Sequence, residues 1–340
     1  MTFTKTATRT KTMTKTMTRR TALLLAAAAP LALLSAPAVA QNWPTKPVTI
    51  IVPFAAGGST DVVARLLGQK LGELWGQTVI VDNRAGAGGN IGTAAVAKSA
   101  ADGYTLLMAS GSIFTVNPSL YATLPFDPKK DFAAVTNVAT GPMVVAVNAN
   151  SEFRDFKSLI AKAKAEPGKI NFGSAGPGSQ VHMASERVAF VTGVDLMHIP
   201  YKGESAALND LMAGQVQLVV GNIAAASTLI AGGRLRGLAV TSAERSKMLP
   251  DVPTVAESGF PGFENNGWFG FMAPAGTPQA VIDKVAKDTA AVLAQKDVAD
   301  RLQSLGMQGK GNSPQELARA IEAESKVWAE VIKARNIKVN

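Results

Sequence analysis

Beyond residue 40 the chain alternates short β-branched runs with stretches whose apolar residues recur three and four apart. Val48-Thr-Ile-Ile-Val52 reads as a buried strand, and Val63, Leu66, Leu67, Leu71 and Leu74 follow at helical spacing. Thr78–Asp82 is a second strand, residues 91–99 a second helix, and Tyr104–Ala109 a third strand. Such alternation implies a parallel sheet with helices on its faces, and ligands of such sheets sit at the carboxyl ends of the strands. The turn at 53–61 and Ser110-Gly-Ser112 both fall there.

Residues 117–131 are rich in turn signals, with Asn-Pro, Leu-Pro and Asp-Pro pairs. Two strands are expected next, at 132–138 and 143–148, broken by Gly141-Pro142, where the chain crosses to a second domain. There the pattern predicts a helix over 157–165, a strand over 170–173, a glycine turn over 174–180 and a helix over 181–192. A strand at 195–200, a helix at 204–213, a strand at 217–220, a helix opened by Gly221-Asn222 and a strand at 235–241 complete it. After a loop over 243–262, Asn266–Met272 is the expected return crossing. Helices end the chain: one with Val281, Val285, Thr289 and Val292 on a face, a shorter one over 298–305, and a last one packed through Leu317, Ile321 and Trp328. Ser313-Pro-Gln-Glu316 has the form of a cap for the last. The division this gives is 41–141 with 265–340 as one lobe and 142–264 as the other.

Residues 1–40 have the build of a secretory signal peptide: basic residues, then the apolar run 22–34, then Ala38-Val-Ala40 as a small-x-small cleavage site. Cleavage is expected after Ala40. Met13 and Met17 are alternative translation starts. Arg19-Arg20 has poor flanks for twin-arginine export, so the general secretory route is favoured. The signal also changes the charge. The chain carries +9 in all, but residues 1–40 hold six basic and no acidic residues, which leaves +3 over residues 41–340. That balance makes no case for nucleic acid or an anionic membrane surface. The absence of cysteine excludes disulfides, a thiol nucleophile, thiolate metal sites and a lipidated N-terminal cysteine.

Pro53-Phe-Ala-Ala-Gly-Gly-Ser-Thr-Asp61 is the most suggestive stretch. Gly57 and Gly58 permit backbone conformations closed to other residues, Ser59 or Thr60 can cap the helix, and the open N–H groups of a first helical turn suit an anion. By itself the stretch fits either a carboxylate or phosphate seat or an ordinary capped turn. Asp61 would repel an anion, so its expected role is to stabilise the first turn. Ser174-Ala-Gly-Pro-Gly-Ser-Gln180 repeats the strand, glycine turn, helix logic. There is no Gly-x-Ser-x-Gly elbow, no phosphate-binding Gly-Lys loop, and Ile91 stands where a dinucleotide fingerprint needs its third glycine. Of the two histidines, His182 with Glu186 makes a poor metal set, and His198 reads as structural or a pocket edge. Trp268 and Phe269 fit a ligand wall or a core, with core the default for aromatics in a strand.

These motifs, taken in order, resemble those of the tripartite tricarboxylate transporter solute-binding proteins, the Bug family. The resemblance rests on Trp43–Pro47, Val52–Asp61, Asn83–Gly92, Asp102-Gly-Tyr-Thr-Leu106, Asn117-Pro-Ser-Leu-Tyr121, Asn171–Gly176, His198-Ile-Pro-Tyr-Lys-Gly203, Leu249–Glu257, Trp268-Phe-Gly270 and Ala273–Pro278. It implies an α/β type II periplasmic binding protein fold, two Rossmann-like lobes joined by two crossing strands, closing on a small organic carboxylate. It also implies delivery of that ligand in the periplasm to membrane permease subunits, with no cofactor, no metal and no catalysis. A monomer is expected. The first-lobe turn of the family matches Phe54, Ala55, Ala56, Gly57, Gly58, Ser59 and Thr60, where a carboxylate is held by backbone groups and waters. Ser110 would line the same lobe. The second-lobe turn matches Ala175, Gly176, Gly178, Ser179 and Gln180, with His182 behind it. Asn222 and Trp268 complete the candidate set.

One departure bears on specificity. Where the family often has Phe-Asp-Asn, this chain reads Val220-Gly-Asn222. Loss of that Asp removes a partner for an ammonium group, so the expectation is an acid without an amine: a di- or tricarboxylate or an aromatic acid. Two rival readings are an extracytoplasmic sensor for a signalling system, with the same ligand chemistry, and an enzyme on the same fold.

Overall fold

Strand β1 (Val48–Val52) is buried along its length apart from Thr49, as a β-branched run between two layers of helices should be. The computed structural model describes residues 1, 2, 4 and 43–339, so the signal-peptide expectation lies outside the described residues. Residues Pro44–Asn340 form one compact unit.

β1 pairs in parallel with β2 (Val79–Asn83) and with β3 (Thr105–Ser110). Helix α1 (Ser59–Trp75) joins β1 to β2 and buries Val63, Ala64, Leu67 and Leu71, while Leu74 is exposed at its end. Gly68 lets α1 lie close to the sheet, since a Cβ there would sit 3.3 Å from Val79 and 3.6 Å from Ile50. A short 3-10 turn (Ala87–Gly89) and α2 (Asn90–Ala97) lead to β3, and two one-turn helices follow, α3 (Ser112–Thr115) and α4 (Asn117–Leu120).

The sheet is not wholly parallel. β9 (Asn266–Pro274) runs antiparallel beside β3, β4 (Phe132–Asn148) antiparallel beside β9, and the two-residue β10 (Gln308–Gly309) beside β4.

β4 corrects the expectation of two strands broken at Gly141-Pro142: it is continuous over 17 residues. From Phe132 to Pro142 it pairs with β9, and from Met143 onward with β7 (Val219–Asn222) and β8 (Leu235–Val240). Pro142 lacks an N–H and so normally interrupts a ladder. Here it stands where β4 changes partners, at the last position in register with β9. Met143 resumes at once by donating its N–H to Thr241 Oγ1, 2.7 Å away.

Around the second half of β4 lie α5 (Phe156–Ala165), β5 (Asn171–Ser174), α6 (Gln180–Thr192), β6 (Met197–Pro200), α7 (Glu204–Met212) and α8 (Ile223–Ala231). Asp155 and Ser158 form a capping box that starts α5. β5 and β6 pair in parallel, with a bridge from Phe172 to Leu218. Helices α9 (Gln279–Leu293), α10 (Lys296–Ser304) and α11 (Pro314–Arg335) close the chain, and the Ser313–Glu316 capping box opens α11.

Candidate functional site

The start of α1 is built differently from the sequence expectation. Its N-cap residue is Gly58, with extended backbone and no side-chain cap, so neither Ser59 nor Thr60 caps the helix. Asp61, in the first turn, braces the preceding loop instead. Its Oδ2 accepts the Gly57 N–H at 2.9 Å and the Arg65 Nε–H at 3.0 Å, and its Oδ1 accepts from Asn83 Nδ2 at 3.0 Å. Burial opposes charge on Asp61, but the bonds from Arg65, Gly57 and Asn83 outweigh it and hold the carboxyl below its usual range. Asn83 also donates to the Phe54 carbonyl. Gly57 takes a left-handed φ of +82°, whereas Gly58 does not, so only Gly57 needs glycine for its backbone.

The second turn is held from below by imidazoles. Ser179 caps α6 by accepting the His182 N–H at 3.2 Å, and His182 Nδ1 accepts the Gly178 N–H at 3.1 Å. That bond requires a neutral His182. His198 stacks on it with ring centroids 4.0 Å apart, Phe172 stacks on His198 at 4.9 Å, and His198 Nε2 bonds Ser174 Oγ at 2.5 Å. Burial, and then the nearby His198, pushes His182 down to about 3, and burial pushes His198 down to about 4. The turn approaches the first half of the chain closely. A Cβ on Gly178 would lie 2.1 Å from Asn117 Oδ1, and one on Gly88 would lie 1.9 Å from the Pro177 carbonyl. Tyr121 donates its hydroxyl to that same carbonyl at 2.7 Å.

Between the two turns lies a cavity of about 20 Å³ lined by Phe54, Gly58, Ser59, Thr60, Ser110, Ala175, Ser179, Gln180, Val181, Glu204 and Asn222. That is room for about one water, so a larger solute requires the walls to part. Four helix starts converge on it: Ser59 of α1, Gln180 of α6, Glu204 of α7 and the Asn222 cap of α8. Their positive dipole ends favour an anion. Gln180 Nε2 and Ser59 Oγ are buried there with no hydrogen-bond partner. A larger hollow of about 840 Å³ lies elsewhere, beside Arg245, Lys247 and Lys310, and none of the predicted site residues lines it.

Nine of the sequence-predicted residues thus meet at the small cavity: Phe54, Gly58, Ser59, Thr60, Ser110, Ala175, Ser179, Gln180 and Asn222. Ala55, Ala56, Gly57, Gly176 and Gly178 shape the turns without lining it, and His182 lies behind the second turn. Trp268 is placed away from the cavity: its indole Nε1–H bonds Glu324 at 2.7 Å and its ring packs over Gly111. Only its main chain reaches the site, through an N–H donated to Gln180 Oε1 at 2.8 Å.

Sequence reasoning missed Val181 and, more consequentially, Glu204. The Glu204 carboxylate is buried and takes four N–H contacts. Oε2 accepts from Ser59 N at 3.2 Å, Oε1 from Asn222 N at 2.5 Å, and Asn222 Nδ2 reaches both oxygens at 3.1 and 3.2 Å. Burial pushes its pKa up, and the N–H groups of Asn222 and Ser59 offset this only in part. A Cβ on Gly221 would lie 3.2 Å from Oε1. Gly221 of β7 carries no carboxylate, and Glu204 of α7 brings one to the same space.

The family profile described as "Tripartite tricarboxylate transporter family receptor" matches residues 63–337. Protein BugT of Bordetella pertussis is 39% identical over 307 residues, covering 90% of this chain and 94% of its own. Among solved structures, R. palustris Rpa4515 with adipate superposes with a TM-score of 0.84 at 38% identity, over 87% of this chain and 99% of that one. MatC of Rhodopseudomonas palustris with bound malate gives 0.82 at 31% identity, over 85% and 100%.

Proposed function

The chain belongs to the tripartite tricarboxylate transporter receptor family of periplasmic solute-binding proteins, and from that premise we propose that it captures a small organic carboxylate and delivers it to membrane permease subunits. Its relatives are binding proteins and not enzymes, and the fold is theirs.

The observation that carries the carboxylate reading is the Glu204 carboxylate at the start of α1. Ser59 N–H already donates to an anionic oxygen there, with two neighbouring donors, Gln180 Nε2 and Ser59 Oγ, left without partners. The donors are backbone and amide groups aimed by helix starts, which suit a carboxylate and need no titrating side chain. The relatives solved with adipate and malate point to the same ligand class.

Capture by closure of two lobes, 41–141 with 265–340 against 142–264, is part of the proposal. It is supported by the change of partners along β4 after Pro142 and by the return of the chain at Asn266. Lobes joined by such crossings hinge around a bound solute. Export by the 1–40 signal peptide completes it.

A thermal-shift screen of the chain from Gln41 onward tests the reading. A ligand that binds only the folded state raises its melting temperature. At least one small carboxylate should do so. No response to any acid, together with a response to a sugar or a metal, would defeat the proposal.

A further inference from the structure

We infer that the captured acid also carries an ammonium group, and that Glu204 is the residue that selects it. This rests on the carboxylate reading above and narrows it.

Glu204 is a buried carboxylate without a counter-ion. Its partners are Ser59 N–H, Asn222 N–H and the Asn222 amide, all neutral, and among the described residues no Lys, Arg or His lines the cavity. Both oxygens receive N–H groups, which favour the ionised form against the burial that opposes it. Buried charges are ordinarily paired, and a buried charge left unpaired is costly. The remaining polar groups of the cavity have the opposite character. Gln180 Nε2 is a donor with nothing to donate to, and the Ser59 hydroxyl lies close to Glu204 but outside hydrogen-bond geometry.

A solute carboxylate drawn to those donors must come within a few ångströms of Glu204, because the whole cavity holds only about 20 Å³ before it opens. Two carboxylates at that separation repel, and the helix starts are shared between them. An ammonium group on the carbon next to the solute carboxylate would lie between the two. It would give Glu204 its missing counter-ion while the solute carboxylate took the donors. The position of Glu204 agrees with this use. Its Oε1 stands 3.2 Å from where a Cβ on Gly221 would be, so α7 supplies an acidic wall that β7 does not.

Matched acids separate this from the broader reading. Isothermal titration would compare aspartate with malate, glutamate with 2-hydroxyglutarate, and 2-aminoadipate with adipate, on the wild-type chain from Gln41 and on Glu204→Gln. The tightest binder should bear an amine and exceed its amine-free partner by at least tenfold. Glu204→Gln, checked for folding by circular dichroism, should cut that ratio at least tenfold. An amine-free acid that outbinds every amine-bearing one on the wild type overturns the inference and leaves carboxylate capture standing. A ratio that survives in folded Glu204→Gln also overturns it. Binding of no acid at all overturns both. The wild-type comparison stands even if the variant does not fold.

Discussion

Ser59 donates its main-chain N–H to Glu204 across 3.2 Å, although 145 residues of chain separate them. One residue on, Ser205 Oγ donates to the Ala56 carbonyl at 2.9 Å. The start of α7 therefore stands directly on the start of α1, and an internal carboxylate occupies part of the seat that a solute carboxylate would use.

The first prediction concerns the cost of that carboxylate. Burial raises the Glu204 pKa above its ordinary 4.5. An acid whose folded pKa is raised favours the folded state at low pH and opposes it as pH rises through the folded value. Glu204→Gln carries no such titration. Urea unfolding of both proteins across pH 4.5 to 8, without ligand, should therefore show the stability difference moving in favour of the Gln variant as pH rises. A difference that stays flat, or moves the other way, would mean that Glu204 is not a strained charge.

Gly57 and Gly58 should behave unlike each other. Gly57 sits at φ +82°, so Gly57→Ala should cost about 1–2 kcal/mol of unfolding free energy. Gly58 has an ordinary φ of −82°, and a Cβ there would meet Glu204 Cβ at 3.6 Å, an unstrained contact. Gly58→Ala should change stability by less than about 0.5 kcal/mol. Gly58→Val adds branches toward Glu204 and Ser205, so it should weaken solute binding more than tenfold with little change in melting. Equal effects of the two alanine substitutions would contradict the assignment of strain to Gly57.

Much of this was readable in the sequence because it is local. The β1–α1 and β5–α6 turns announce themselves by glycine and serine between a β-branched run and a helical period, and the Ser313–Glu316 box spells its own helix start. What was not readable depends on distant partners. Gly141-Pro142 looks like a break until β9, more than 120 residues later, is seen to pair through it and then give way to β7 and β8. Glu204, first in its helix, looks like an acid placed for the dipole. Its role appears only when Ser59 and Asn222 are brought to it. The orientation of the Trp268 indole is set by Glu324 on the last helix, which no pattern around 268 reveals.

The buried imidazoles give a second pH dependence, of opposite sign to that of Glu204. His182 and His198 are pushed from 6.5 to about 3 and about 4, chiefly by burial. A base with a lowered folded pKa leaves the unfolded chain to bind the proton first, so stability is intact above about 6.5 and falls as pH drops below it. Between pH 7.5 and 5.5 each imidazole should remove about 1 kcal/mol. His198→Phe, which keeps a ring against Phe172 but cannot be protonated, should flatten that slope by about half. An unaltered slope would show that some other group titrates in this window.

Trp268 provides the sharpest separation of packing from binding. Its indole N–H and that of Trp328 both end on Glu324, at 2.7 and 3.0 Å, and the Trp268 ring covers Gly111 so closely that a Cβ there would fall 2.4 Å away. The link to the cavity runs only through the main chain: Trp268 N–H holds Gln180 Oε1 and so turns Gln180 Nε2 toward an open acceptor position. Trp268→Phe keeps that main-chain bond. It should lower unfolding free energy by about 1–3 kcal/mol, the cost of a hydrogen bond to a charged group, while solute affinity changes less than twofold. Gln180→Leu should do the reverse, keeping the melting temperature within a few degrees and losing affinity more than tenfold. A tenfold loss of affinity in a fully stable Trp268→Phe protein would put the indole against the solute, and the donor wall of the cavity would then have to include it.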